Sequence, residues 1–242
     1  MKIMVELFNT VLYNPLFNIL VILYDSVALQ DLGLAIIFLT ILIRLLLFPV
    51  FHESLRQQKI QQALQPHIKK IQDKHKDNKE AQTKAILNLY SEHKANPALP
   101  LVLILIQLPI LIALFSIFRA GITVESLNSL YSFVPRPEII NHTFFGLLDL
   151  TKASLLLTGL AAVAQYFQSK LSIAKLKPGE TQTDAERIGR SLVYVAPFIT
   201  VVVLWSLPAA IALYWIATTI FSAVQQVIIN KAFKHGESKG TA

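Results

Sequence analysis

Cysteine is absent from all 242 residues, so disulfides, thiolate metal sites, thiol catalysis and a lipid-anchored cysteine are excluded together. There is no glycine-rich phosphate loop and no G-x-S-x-G element. His52-Glu53 lacks the second histidine of a zinc-protease helix, because position 56 is Arg, and it reads as the polar start of a helix at a membrane surface. The remaining histidines are scattered through polar stretches, with His75 and His93 expected on the packing face of a helical hairpin. The chain is read as a non-enzyme that uses no cofactor, nucleotide or metal.

What it has in excess is apolar sequence. Hydrophobic residues make up 54% and mean hydropathy is +0.53, too apolar for a soluble domain of this length, and the apolar residues fall in blocks. The fold class is therefore an all-α, polytopic membrane protein. The net charge of +7 does not call for nucleic acid, because the basic residues follow the loops between apolar blocks.

The central block is Leu34 to Phe51, an apolar run broken by a single charge, Arg44. As one helix it would carry Arg44 about 15 Å from its start, close to mid-membrane, where arginine costs about 2.5–3.5 kcal/mol on insertion scales. The later apolar blocks contain no Asp or Glu to pair with it. Arg44 is read as a water-exposed charge facing the bundle interior; the alternatives are snorkelling or a buried acidic partner.

Residues 1–32 form an extracytoplasmic segment in which Leu16 to Tyr24 is too short to span and lies as an amphipathic helix in the interface. A cleaved signal peptide is the weaker alternative, and the segment is read as retained. Counting it as a span would leave no room for a turn before Gly33. Residues 33–51 are the first span. Residues 52–97 hold nine Lys or Arg against five acids, with apolar residues at Ile60, Leu64, Ile68 and Ile71 and again at Ala85 and Leu89. That pattern predicts a two-helix hairpin turning at Asp77-Asn78, with Pro66 kinking or breaking its first helix.

Residues 98–229 supply spans two to five: Ala98 to Phe118, Ala153 to about Phe167, and an apolar run from Leu192 to Ile229. That last run would reach about 57 Å as one helix, so it must fold as a hairpin cornered at Ser206-Leu207-Pro208. The second basic loop, Lys170 to Arg190, turns at Pro178-Gly179. Residues 230–242 are a short basic tail. The lysine-rich and arginine-rich loops place the N-terminus outside and the C-terminus in the cytoplasm.

Within the spans stands a row of polar or amphipathic residues: Thr40, Arg44, Gln107, Thr158, Gln165, Tyr214, Trp215, Ser222 and Gln225. Singly these read as interhelical glue. Together with an arginine that lacks an acid they predict a wet cavity. A rival use of such a cavity is an anion channel or small-solute transporter with Arg44 as its selectivity charge, although no inverted repeat of spans supports alternating access.

The chain resembles the YidC/Oxa/Alb membrane protein insertases, in their short bacterial form. The resemblance runs from Tyr13 to Phe233. It rests on Asn14-Pro15-Leu16, Asp31-Leu32-Gly33-Leu34-Ala35, Arg44, Phe48-Pro49, Leu64-Gln65-Pro66, Ile71-Gln72 and Lys74-His75-Lys76-Asp77. It continues through Asn96-Pro97, Gln107-Leu108-Pro109-Ile110, Ala113-Leu114-Phe115, Gln165-Tyr166, Gln168, Pro197, Leu213-Tyr214-Trp215-Ile216 and Gln225-Gln226. The resemblance implies five spans enclosing a hydrophilic groove open to cytoplasm and lipid, with a cytoplasmic helical hairpin that helps receive substrates. Arg44 would be the groove arginine, with Gln107, Gln165, Tyr214 and Trp215 around it. The implied partners are nascent membrane proteins and the bilayer, together with the ribosome, the signal recognition machinery and the Sec translocase. The implied location is the bacterial plasma (inner) membrane. Three departures from the family pattern stand out: Ala210 follows Pro208-Ala209 where glycine is common, no large extracytoplasmic domain or lipobox cysteine is present, and the tail is short.

Overall fold

The computed structural model describes residues 2–120, 122, 126–138, 140–173 and 184–239. The chain begins with α1 (Lys2–Phe8), a π-helical turn (Asn9–Tyr13) and α2 (Asn14–Ser26), which run on as one stretch. A turn over 27–31 leads into α3 (Leu32–Leu46), and α4 (Phe48–Lys74) follows after a bend of 68°. Helices α5 (Lys79–Glu92) and α6 (Leu99–Ala120) come next. An irregular segment then holds a short 3-10 turn (Ser126–Ser129) and a two-stranded antiparallel ribbon, β1 (Thr143–Phe144) with β2 (Leu148–Asp149). Helices α7 (Leu155–Ser172), α8 (Asp184–Leu204) and α9 (Ala209–Lys239) complete the order.

Among the described residues four stretches are long and apolar enough to cross a membrane: Lys2–Ser26, Leu101–Arg119, Arg187–Leu204 and Ala209–Phe233. The bent pair Leu32–Leu46 and Phe48–Lys74 raises the number to five. Two stretches differ from the sequence expectation. The N-terminal segment extends at both ends of Leu16–Tyr24 into a 25-residue helical stretch, and the 27–31 turn fits before Gly33 after all because Leu29 and Gln30 both take positive φ, 53° and 58°. Helix α7, expected as the third span, falls outside the set because its second half carries Gln165, Gln168, Ser169, Lys170 and Ser172.

The first span is also shorter than expected. Pro49 has no N–H to give to the carbonyl four residues earlier, so the helix cannot continue through it undisturbed. The chain uses it instead in the first turn of α4, where a missing donor costs nothing. Leu47 joins the two helices, with its N–H 3.0 Å from the Ile43 carbonyl and its own carbonyl receiving Phe51 N–H at 3.1 Å. Arg44 therefore sits in the last turn of α3, where the helix dipole favours a cation, and not at the middle of a straight run. Pro66, expected to kink or break the hairpin, is carried inside α4 without a break.

The hairpin itself forms where the charge pattern placed it. Asn78 caps α5 by accepting Ala81 N–H at 3.0 Å. Buried Leu64 and Ile68 on α4 pack with Ile86, Leu89, Tyr90 and Ala95. Gln57 ties the far ends together, accepting Asn96 N–H at 2.9 Å. His93 lies at the exposed edge of this face, its ring centre 6.5 Å from that of His67 on α4 and its Nδ1 3.0 Å from the Leu89 carbonyl.

One core joins α2, α3, α6, α7, α9 and the 122–150 segment, with Phe17, Leu20, Ile36, Leu39, Leu114, Ile117 and Leu150 almost wholly enclosed. Asn18 is buried within it and is satisfied, because its oxygen accepts Tyr131 N–H at 2.7 Å and its amide donates to the Ser129 and Asn14 carbonyls. Tyr24 accepts Asn141 N–H at 2.8 Å. The ribbon is pinned to the start of α3. Asp31 caps the helix through Leu34 N–H at 2.9 Å with one oxygen and takes Phe145 N–H at 2.5 Å with the other. The 205–208 corner agrees with expectation, and the first N–H groups of α9 are met by loop carbonyls: Ala209 by Lys152 at 2.8 Å and Ala210 by Leu150 at 3.1 Å. The expected Pro178-Gly179 turn lies outside the described residues.

Candidate functional site

Arg44 is 5% exposed, although it is a charged residue in an apolar helix. Its guanidinium carbon lies 4.1 Å from the centre of the Phe51 ring. Its Nη1 has no hydrogen-bond partner, and among the described residues it joins no ion pair. A buried cation normally demands a counter-charge. Here a ring face and a largely apolar cavity with a few polar side chains at its edge take that place.

The cavity holds about 390 Å³ and is lined from four directions. Arg44 and Phe51 close it at the α3–α4 bend, Leu103, Ile104, Gln107, Leu108 and Leu111 line it from α6, Gln165 and Gln168 from α7, and Tyr214, Trp215, Thr218, Thr219 and Ser222 from α9. All five residues selected from the sequence as the groove set, Arg44, Gln107, Gln165, Tyr214 and Trp215, thus line one space.

Their polar atoms are connected. Gln107 donates to the Tyr214 hydroxyl. Trp215 Nε1 donates to Gln165 Oε1 at 3.3 Å, and Gln165 in turn donates to Gln168 Oε1 at 3.3 Å and Ser169 Oγ at 3.2 Å. Gln168 donates to Ser172 Oγ at 3.1 Å, which is 3.5 Å from Gln226 Oε1. Gln226, wholly buried, donates to Asn230 at 3.0 Å, and Gln62 of α4 reaches the Ser172 carbonyl at 2.7 Å. A polar ladder therefore runs along α7 from the cavity toward the α4 side of the molecule.

Other members of the polar row do not join the cavity. Thr40 is buried and donates back to the Ile36 carbonyl at 2.7 Å, a helix-internal bond. Thr158 is buried away from it, and Gln225 is buried with neither side-chain polar atom partnered. Gln168 and Phe51 were missed as site residues. The spacing Gln165, Gln168, Ser169, Ser172 on one helix face was the readable signal for the first; the second depends on the bend.

A smaller, apolar cavity of about 170 Å³ adjoins, lined by Ile112, Phe115, Val203, Leu204, Leu207 and Ile211. It shares Leu111 and Trp215 with the larger one beside Arg44.

Apolar helices gathered round a cavity with a buried, acid-free arginine define a multi-pass helical membrane protein. A family model described as 60Kd inner membrane protein matches residues 22–237, and the chain belongs to that family, the YidC/Oxa/Alb insertases that its motifs resemble. The chain is 29% identical over 222 residues to the membrane protein insertase YidC of Fusobacterium nucleatum subsp. nucleatum, covering 91% of this chain and 97% of that one. It is 31% identical over 207 residues to membrane protein insertase YidC 2 of Listeria innocua, covering 84% and 65%. A solved structure described as the active YidC insertase with its first transmembrane domain resolved superposes with a TM-score of 0.55 at 26% identity, covering 90% of this chain and 45% of that one.

Proposed function

We propose that this protein is a membrane protein insertase or chaperone that takes hydrophobic segments of nascent membrane proteins from the cytoplasm into the bilayer through the cavity around Arg44. The observation that carries the reading is the buried, acid-free Arg44 bordering a cavity edged with Gln107, Gln165, Tyr214 and Trp215. Names of relatives along nearly the whole chain point the same way.

The physical sequence is as follows. Acidic groups in a polar tail are drawn toward Arg44 by about 4 kcal/mol at 4 Å and an effective dielectric near 20. The apolar cavity beyond Leu111 and Trp215 then receives apolar side chains, and burial of their surface in lipid drives release. No covalent step is required. In the proposed topology α3, α6, α7, α8 and α9 cross the inner membrane with residues 2–26 lying at the outer interface. The N-terminus is outside, and the hairpin and tail are in the cytoplasm, where they meet ribosome, signal recognition machinery or Sec translocase.

The test is site-specific photocrosslinking from positions 165 and 215 to a stalled nascent chain with one apolar segment and an acidic tail, compared with Arg44→Ala. Crosslinks at both positions that fade as the chain lengthens, and that weaken in Arg44→Ala, are expected. Folded protein that gives no crosslinks but passes anions into liposomes overturns the reading in favour of a channel.

A further inference from the structure

Two bulky apolar residues in this chain stand at once in left-handed backbone conformation and in the open. Leu29 has φ 53° and is 86% exposed; Phe145 has φ 51° and is 64% exposed. Side chains of this size rarely adopt positive φ. In a hairpin β-turn with both central φ values positive, such as 144–147 here, Asn-Gly is the favoured central pair. The chain has Phe145-Gly146, followed by Leu147, which is 91% exposed. A site that is both strained and apolar in water invites a functional explanation.

The two turns are one structure. Asp31, which ends the first turn, accepts Phe145 N–H from the second while capping α3. Both therefore sit at the N-terminal end of α3, the end opposite the α4–α5 hairpin. The tip β1–Phe145–Gly146–Leu147–β2 carries no charged side chain until Asp149. The two flanking acids already have their oxygens engaged, Asp31 as described and Asp149 with Thr151 and with Lys152 at 2.9 Å. Asp25, exposed four residues before Leu29, joins no ion pair among the described residues, and its charge limits the patch to headgroup depth. About two turns farther down α3, Phe38, Ile41, Leu42 and Leu45 are also exposed.

We propose that Leu29, Phe145 and Leu147 form a foot that dips into the lipid headgroup and upper acyl region at the α3 N-terminal face, fixing how deep the first span sits. A bilayer surface suits this patch because α3 enters the membrane immediately beside it, and because a shallow cluster of aliphatic and aromatic side chains is the chemistry of interfacial anchoring.

The chain's lack of cysteine makes the test direct. Leu29→Cys, Leu147→Cys and, as the exposed polar control, Lys152→Cys each carry a single environment-sensitive fluorophore in the full-length protein, reconstituted in phosphatidylcholine–phosphatidylglycerol vesicles. Thermal unfolding matching the parent confirms the fold of each. Labels at 29 and 147 are expected to emit to the blue of the label at 152. They should be quenched at least twofold by lipid spin-labelled near the headgroup, and less by lipid labelled near the chain terminus. Emission and quenching at 29 and 147 indistinguishable from 152 would overturn the proposal. Blue-shifted emission that no lipid label quenches would also overturn it, since protein then covers the patch.

Discussion

The guanidinium of Arg44 rests 4.1 Å from the Phe51 ring centre, with the bend at Leu47 between the two residues. The last turn of α3 supplies the cation and the first turn of α4 supplies the face that holds it. A desolvated cation–π pair contributes about 2 kcal/mol. Phe51→Leu keeps the buried volume nearly intact but removes the ring. It is expected to destabilise the protein by about 1–2 kcal/mol in denaturant unfolding in detergent, and a double-mutant cycle with Arg44→Met should show a coupling near 1 kcal/mol. Strict additivity would mean that the stacking contributes nothing.

Charge at position 44 should matter more than shape. On a substrate with an acidic tail, Arg44→Lys is expected to retain most insertion, Arg44→Ala to lose much of it, and Arg44→Glu to fall at least about tenfold, the consequence of reversing an interaction of a few kcal/mol. Protease protection of the translocated tail in proteoliposomes measures this. Equal activity of Arg44→Glu ends the electrostatic account.

Gly33 leaves room for Phe144. A Cβ at position 33 would lie 2.1 Å from Phe144 Cδ2, closer than any packed carbon can come. Gly33→Ala is expected to cost about 1–3 kcal/mol through overpacking. Adding Phe144→Ala should recover part of that loss. A double variant as unstable as the sum of the two single variants would show that the clash is relieved elsewhere.

Asp149 is expected to shape the acid response of the turn before α7. The Thr151 hydroxyl, then the Lys152 ammonium and the Thr151 amide, hold its carboxyl below the ordinary carboxylate range. Its folded value lies below the unfolded one near 3.9, so its contribution is present above about pH 4 and is lost only as pH falls through the lowered value. This turn supplies the carbonyls that cap Ala209 and Ala210. Hydrogen-exchange protection of those two amides should persist from about pH 6 to about pH 3, where ordinary carboxylates are already protonated, and should be weaker in Asp149→Asn across that whole range. A loss near pH 4 in the parent would contradict the assignment.

Much of the site was readable, the polar row from composition within the apolar blocks and the choice of groove residues within that row from the family resemblance. Arg44 was visible as a charge without an acid in reach, and Gln107, Gln165, Tyr214 and Trp215 stood out as polar or amphipathic residues inside apolar blocks. The 205–208 corner followed from helix length, and the Asp77-Asn78 turn from charge and amide content. What stayed hidden depended on tertiary geometry. The run to Phe51 looked continuous because apolar composition is blind to Pro49 being used as a helix start. The β1–β2 ribbon is only two pairs long, too short for alternation to register, and its turn uses Phe-Gly. A helix was expected from Ala153 to about Phe167 and α7 runs Leu155–Ser172, but the extent of its polar face emerged only from the links of Gln165, Gln168 and Ser172 to each other and to α9.

The bend at Leu47 also has a mechanical meaning. Helix α4 is 27 residues long, so its tip stands about 40 Å from the pivot, whereas Phe51 is only about 6 Å along the same arm. A swing of about 10° carries the tip through about 7 Å and moves Phe51 by about 1 Å, a reduction of roughly sevenfold set by helix rise alone. The arm is also stayed part-way, where Gln62 holds the end of α7. Any swing of the charged hairpin would thus reach the ring beneath Arg44 only as an ångström-scale adjustment.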